Sequence, residues 1–291
     1  MTPNTPPAIH EVTRRPTGHR RREPVGPPPA GARIIDGDAL LVDTESGHVV
    51  AVQWVVAQRV ATAIASLART IPWHDPVEHL SSQGRLSGIA YPHRTFGYTP
   101  PVPLRRRFGC QRCTLDQQRP QLAHALTAAA EDAYEVFGRL APDAYAATVA
   151  TVTEQVAGPW RIGHTCWTSG ILNKSAQLPY HRDAGNFPGT WSAMIAAKRW
   201  CEGGWLHLAD LDLYLTIPHG SITVFDGQSI MHGVTPFTLG RPTGYRYTAV
   251  MYARQGMRTC SDDPDDEAAR AALAATASTD RKAATLRERR R

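Results

Sequence analysis

The stretch Pro179-Tyr180-His181-Arg182-Asp183-Ala184-Gly185-Asn186 decides how the rest of the chain is read. Its counterparts are Asp226-Gly227-Gln228-Ser229-Ile230-Met231-His232-Gly233 and Tyr245-Arg246-Tyr247-Thr248. Two imidazoles and one carboxylate, in the order His-x-Asp and then His, form a ligand set that occupies one face of an octahedral iron. The opposite face stays open to O2 and a co-substrate. His181, Asp183 and His232 are therefore the expected Fe(II) ligands and catalytic residues. With 12 His and 26 acidic residues in 291, about one His-x-acid triplet arises by chance, so context carries the reading. This His-x-Asp is the only one in the chain, and a glycine-flanked His and a strand-like Arg follow it.

That arginine is expected to hold a carboxylate, because a guanidinium fork matches one geometrically, for example the far carboxylate of 2-oxoglutarate. Arg246 alternates with Tyr245 and Tyr247, as on a strand, and Thr248 shares its face as a hydroxyl partner. Arg241 competes for the role but sits in Gly240-Arg241-Pro242, a turn. His207 and His219 compete for the metal. His207 falls in a strand-like run but has no acid two residues away.

From Trp160 to Tyr252 short strand-like runs alternate with turns: 162–168, 177–181, 191–197, 204–208, 213–217, 221–225 and 247–252. Even spacing with Gly and Pro punctuation argues for a sandwich or jelly roll. In it, residues 181 and 183 project to one side of a strand. The 48 residues before His232 suffice for strands that bring it back beside them. Upstream, residues 39–43 and 48–52 read as a hairpin about a Gly-containing turn. Residues 54–70 follow helical spacing, as do 120–140 behind Pro120 and 143–156 behind Pro142. Residues 73–119, punctuated by Gly and Pro, read as a structured loop region and candidate substrate-facing wall.

The expected class is thus α+β or mainly β: a double-stranded β-helix, cupin-like, with flanking N-terminal helices. Its organisation is a disordered basic Pro/Arg-rich tail over 1–33, a helical and loop-rich part over 34–158, the catalytic core over 159–256 and a charged tail over 257–291. The net charge of +6 lies mostly in the first segment, where six Arg face two Glu. Residues 14–22 are equally readable as a nucleic-acid contact or a solvated run. Arg105, Arg106, Arg107, Arg112 and Arg119 form the one dense basic cluster of the body. No apolar run reaches the roughly 18–20 residues of a membrane span, and no secretory leader is evident, so the expectation is a soluble, intracellular chain. Five scattered cysteines then suggest free thiols and no disulfides. Cys110-Gln-Arg-Cys113 has zinc-knuckle spacing but no second pair to complete four ligands.

His181-Arg182-Asp183-x-x-Asn186, Phe225-Asp226-Gly227 leading into Met231-His232-Gly233-Val234-Thr235-Pro236, and Arg246-x-Thr248 together resemble the TET/JBP dioxygenases, particularly the compact members from phages, fungi and algae. The resemblance is dense over about residues 160–254. It is fainter at Thr95-Phe-Gly-Tyr-Thr-Pro100 and the Arg112-Cys113 segment. It implies an Fe(II)- and 2-oxoglutarate-dependent oxidoreductase with O2 as co-substrate and ascorbate as a stimulant. The implied partner is DNA, the target being the 5-methyl group of a flipped 5-methylcytosine or, alternatively, thymine. On the same basis Asn186 would contact the flipped base and Tyr252 would pack against it. This chain departs from the animal members in carrying Arg254 two residues past that tyrosine, where they have histidine, and in lacking their cysteine-rich region. Two rivals remain: the same iron chemistry on a protein side chain or metabolite, and a barrel that binds without turnover.

Overall fold

The structure is a computed structural model describing residues 6–80, 86–102, 104 and 107–288. The chain begins with β1 (Ala8–Val12) and β2 (Ile34–Ile35), then β3 (Ala39–Asp43), β4 (Val49–Val55) and helix α1 (Gln58–Ala68). An antiparallel pair, β5 (Val77–Leu80) and β6 (Leu86–Ala90), precedes β7 (His93–Thr99), β8 (Gln111–Arg112) and the helices α2 (Thr114–Gln118), α3 (Pro120–Leu140) and α4 (Pro142–Gln155). Strands then dominate: β9 (Ser169–Lys174), β10 (Ser192–Arg199), β11 (Cys201–Gly203), β12 (Leu206–Leu208), β13 (Leu213–Leu215), β14 (Ser221–Phe225), β15 (His232–Val234), β16 (Phe237–Leu239) and β17 (Tyr245–Tyr252). Helix α5 (Pro264–Glu288) follows.

Nine strands form one sheet in the order β1-β3-β4-β14-β10-β17-β9-β7-β8, and four form a second, β15-β12-β13-β2. One face of the large sheet is covered by helices. Ile64 and Ala65 of α1 and Leu126, Ala129, Ala133 and Phe137 of α3 share a core with Leu172, Ile195, Ala249 and Met251 of the strands. The alanines leave the helix backbones close to the sheet, and Pro120 starts α3 at a position where no amide hydrogen is needed. The other face meets the small sheet, where Leu206, Leu208, Leu213 and Leu215 pack with Leu41, Ala51, Ala196 and Phe225. Between the sheets lies a cavity. On β17 the two-residue period assigns Tyr247, Ala249 and Met251 to the helix-backed core and Arg246, Thr248, Val250 and Tyr252 to the cavity.

Several expectations are corrected. Helix α1 starts at Gln58, because Trp54 and Val55 pair with Ile222 and Ser221 and so belong to β4. The strand expected over 162–168 falls on 169–174 instead, after a run of turns. Residues 177–181 form no ladder strand, only a single bridge at His181. The loop region over 73–119 contains β5 to β8, and β7 joins the large sheet beside β9.

Disorder over 1–33 is also corrected from Ala8 onward. Strand β1 pairs in parallel with β3, Arg15 N donates to Asp210 O at 2.8 Å, and Arg22 N donates to Tyr180 O at 2.7 Å. Tyr180 N returns a bond to Glu23 O at 2.9 Å, Val25 is buried against Tyr180 and Ala209, and His19 stacks on the Tyr180 ring at 4.2 Å. Composition argued from the few aliphatics. Backbone pairing with segments far along the chain supplies the order instead. Finally, Cys110 and Cys260 form a disulfide, against the expectation of none. It removes Cys110 from any zinc knuckle, and Cys113 is a buried free thiol whose pKa burial pushes up. No helix among the described residues is long and apolar enough to cross a membrane.

Candidate active site

His181 and His232 face each other through a two-way backbone bridge. His181 N donates to His232 O at 2.8 Å and His232 N donates to His181 O at 3.0 Å. Residues directly opposite in an antiparallel pair present their side chains to one face, and the two rings stand 4.2 Å apart. Asp183 is not on a strand with His181. Its amide donates to Gly227 O at 2.9 Å, which swings the carboxylate under both imidazoles. Asp183 Oδ1 lies 3.8 Å from His181 Nε2 and 3.9 Å from His232 Nε2. A Cβ on Gly227 would sit 2.3 Å from Asp183 Oδ2, so only glycine leaves the carboxylate its place.

The chemistry of these donors fits a metal. His181 Nδ1 is 2.8 Å from Pro179 O and His232 Nδ1 is 2.9 Å from Ile230 O. A carbonyl only accepts, so each Nδ1 carries the hydrogen and each Nε2 presents a lone pair. Burial pushes the His232 pKa down to about 4, with the neighbouring His181 as second cause, so the ring is neutral as a ligand must be. The three donor atoms lie within 4.8 Å of one another, and no further His, Cys, Asp or Glu among the described residues joins them. Three ligands on one side leave the remaining coordination positions to small molecules.

The cavity these residues border measures about 590 Å³, and Arg246, Thr248, Asn186 and Tyr252 also line it. Arg246 is 3% exposed. Its fork donates to two carbonyls, Ala176 O at 3.1 Å and Gly204 O at 3.2 Å, and no carboxylate lies within pairing distance among the described residues. Burial lowers its pKa to about 10, which still leaves it a cation at neutral pH. A buried, unpaired charge is costly, which makes the site a strong receptor for an anion. Gly204, at φ +66°, makes room for it, since a Cβ there would lie 2.7 Å from Arg246 Nε.

Asn186 is buried, with Nδ2 donating to Ser192 Oγ at 2.9 Å, and Ser192 Oγ in turn donates to Asp183 Oδ2 at 3.4 Å. The carboxylate can only accept, so the serine hydrogen points to it and its oxygen accepts from the Asn186 amide. Asn186 Oδ1 is left as an acceptor on a residue that lines the cavity. Ser192 carried no sequence signal. Neither did Tyr91 or His93, which reach the cavity wall from the segment read as a loop region.

The competing residues lie elsewhere. His207 is buried outside the site, bonded to Tyr180 Oη at 2.6 Å and stacked on Tyr214. His219 caps Thr62 and the Lys198 amide. The Arg241 guanidinium lies over the Trp200 ring at 4.0 Å. Arg105 and Arg106 are outside the described residues.

The sequence matches no protein-family model and no curated protein. Among solved structures, the chain superimposes on NgTET1, solved in complex with 5mC DNA, with a TM-score of 0.53. The match covers 79% of this chain and 85% of that one at 14% identity. The fold is a double-stranded β-helix. As expected from the sequence, the two facing sheets of this β-helix carry the site between them. An oxidoreductase of the 2OG-Fe(II) oxygenase family from Burkholderia pseudomallei and OsALKBH1 both match at a TM-score of 0.38. Their identities are 13% and 11%, over 70% and 69% of this chain and 88% and 97% of theirs.

Proposed function

We propose that this chain is an Fe(II)- and 2-oxoglutarate-dependent dioxygenase that hydroxylates the 5-methyl group of 5-methylcytosine in DNA. The observation that carries the first half is the pairing, within one cavity, of a His-Asp-His donor set with a buried arginine that has no anionic partner among the described residues. Iron with 2-oxoglutarate and O2 supplies, when bound, hydroxylation of an unactivated C–H bond with release of succinate and CO2. His181 Nε2, His232 Nε2 and Asp183 Oδ1 would hold the metal. Arg246 would pair with the far carboxylate of the 2-oxoacid, with the Thr248 hydroxyl beside it. The volume of about 590 Å³ falls within the range of roughly 300–1,000 Å³ usual for ligand sites, room enough for the co-substrate and one base.

The substrate half rests on shape and on Asn186. The likeness to a protein solved with 5mC DNA supports a nucleic-acid substrate. A base stacked in duplex cannot enter a cavity between two sheets, so it would be flipped out, at a cost of a few kcal/mol. The acceptor that Ser192 leaves on Asn186 complements the 4-amino donor of cytosine and not the O4 acceptor of thymine. Nucleoside mass spectrometry tests the reading on duplex DNA with and without 5-methylcytosine, incubated with the protein, Fe(II), ascorbate and 2-oxoglutarate. One added oxygen on methylcytidine, lost in His232→Ala, is the expected result. Addition on thymidine would change the base, and succinate formation with neither base altered would move the substrate to a protein or metabolite.

A further inference from the structure

A second cavity of about 450 Å³ adjoins the first, with His93, Tyr252 and Arg254 in both walls. Its lining contains Arg94, Arg107 and Arg254 and, among the described residues, no acidic one. Arg94 is spent locally: its guanidinium bonds to His93 O and Pro72 O and lies over the Trp73 ring. Arg107 and Arg254 are different. Among the described residues neither guanidinium pairs with a carboxylate or donates to a protein acceptor, although the Arg107 backbone bridges Val102 and the Arg254 amide donates to Thr168 Oγ1. Both sit close enough to the Cys113 thiol to act on its titration. They converge on one space.

The two arginines are also held relative to each other. Cys110, three residues past Arg107, is bonded to Cys260, six residues past Arg254. The Glu267 carboxylate strengthens the staple by accepting from Cys110 N and Ser261 N, both at 2.8 Å. Two half-buried, unpaired guanidiniums on cross-linked segments form a pre-organised anion receptor. Because Arg254 and Tyr252 belong to both cavities, an anion seated here adjoins whatever fills the space beside His181, Asp183 and His232.

We propose that the second cavity seats a backbone phosphodiester of the nucleic acid, the one adjoining the nucleotide whose base enters the first cavity, gripped by Arg107 and Arg254. This rests on the nucleic-acid reading above. A phosphate contact adds affinity without reading sequence and makes binding salt-dependent.

The test pairs protein variants with a neutralised phosphate. Binding of a fluorescein-labelled methylcytosine duplex to the full chain is followed by anisotropy across salt concentrations for wild type, Arg107→Ala, Arg254→Ala and both Arg→Lys variants. Each experiment is repeated on duplexes with one methylphosphonate, 5′ or 3′ of the methylcytosine. Each alanine should lower the slope of log K against log salt by about 1, and lysine should restore it. One of the two methylphosphonates should weaken wild-type binding about tenfold and add nothing to the loss in Arg254→Ala. Losses that simply add, or alanine variants with the full wild-type slope while wild type still oxidises DNA, would overturn the phosphate seat and leave the enzymatic reading standing. A wild-type chain that neither binds nor oxidises DNA would sink both.

Discussion

The two adjoining cavities share Tyr252 and Arg254, yet they hold their arginines in opposite ways. Arg246 is the second residue of a regular strand, opposite Lys198 of β10, is 3% exposed and spends two donors on backbone carbonyls. Arg107 and Arg254 lie at isolated bridges outside the strands, are half-buried, and sit on segments joined by a disulfide. Low-dielectric burial suits a small anion that must be held in one orientation at every turnover. A long polyanion has to be gripped near water and released, and salt competes there. On the proposed function, the first cavity would be the place of chemistry and the second a place of grip.

The largest effect that could break this division concerns the donor set. Asp183→Ala or His232→Ala should lower iron retention after dialysis, and succinate formation with it, by more than about 100-fold, the upper range for losing only an outer partner of a ligand. Retained succinate in either variant would remove the assignment. Next, Arg246→Ala should raise the 2-oxoglutarate concentration for half-maximal rate by roughly 30- to 5,000-fold, the scale of a truncated buried charge pair. Arg241→Ala, stacked on Trp200, should stay within about twofold, as a surface cation does. A large effect at Arg241 would reverse the choice between them.

The disulfide sharpens the comparison at a smaller scale. Cys110→Ser with Cys260→Ser opens a loop of 150 residues and should cost about 2–4 kcal/mol in denaturant titrations. DNA affinity should fall by more than iron affinity does; equal losses would mean that the two cavities are not separable. The smallest expected effect is at Ser192. Replacing it by alanine frees the Asn186 amide to turn, and the preference for methylcytosine over thymine should drop roughly three- to tenfold, one hydrogen bond's worth. Competition assays on mixed duplexes would measure it.

The part of the molecule that uses period-two strands was legible in the sequence. Arg246, Thr248 and Tyr252 all fall on the cavity side of β17, as the alternation required, and α3 spans the range that Pro120 and the alanine-rich face marked out. The hairpin read over 39–43 and 48–52 is β3 and β4, and it joins the large sheet. Features built from contacts distant in sequence were hidden. Nothing near Cys110 points to Cys260, nothing near Asn186 announces Ser192 as its orienting partner, and the arm before β2 has no pattern of its own because backbone bonds hold it. The Asp183 geometry was also concealed. Period two placed it on a strand with His181, but a bond to Gly227 O does the work of positioning it.

That arm has a consequence for how the protein is made. Arg14 reaches the carbonyl of Ser229, 215 residues later, and Arg15 and Arg22 bind Asp210 and Tyr180. The arm leaves the ribosome long before any of these partners exist, so apart from the pairing of β1 with β3 it waits unbonded while the barrel emerges. Contacts of such sequence separation form late and slow folding. The backbone of Tyr180, next to His181, by contrast meets partners already made, Arg22 and Glu23, as soon as it emerges. A nascent chain stalled before residue 229 would leave Arg14 without its carbonyl, open to whatever surrounds it.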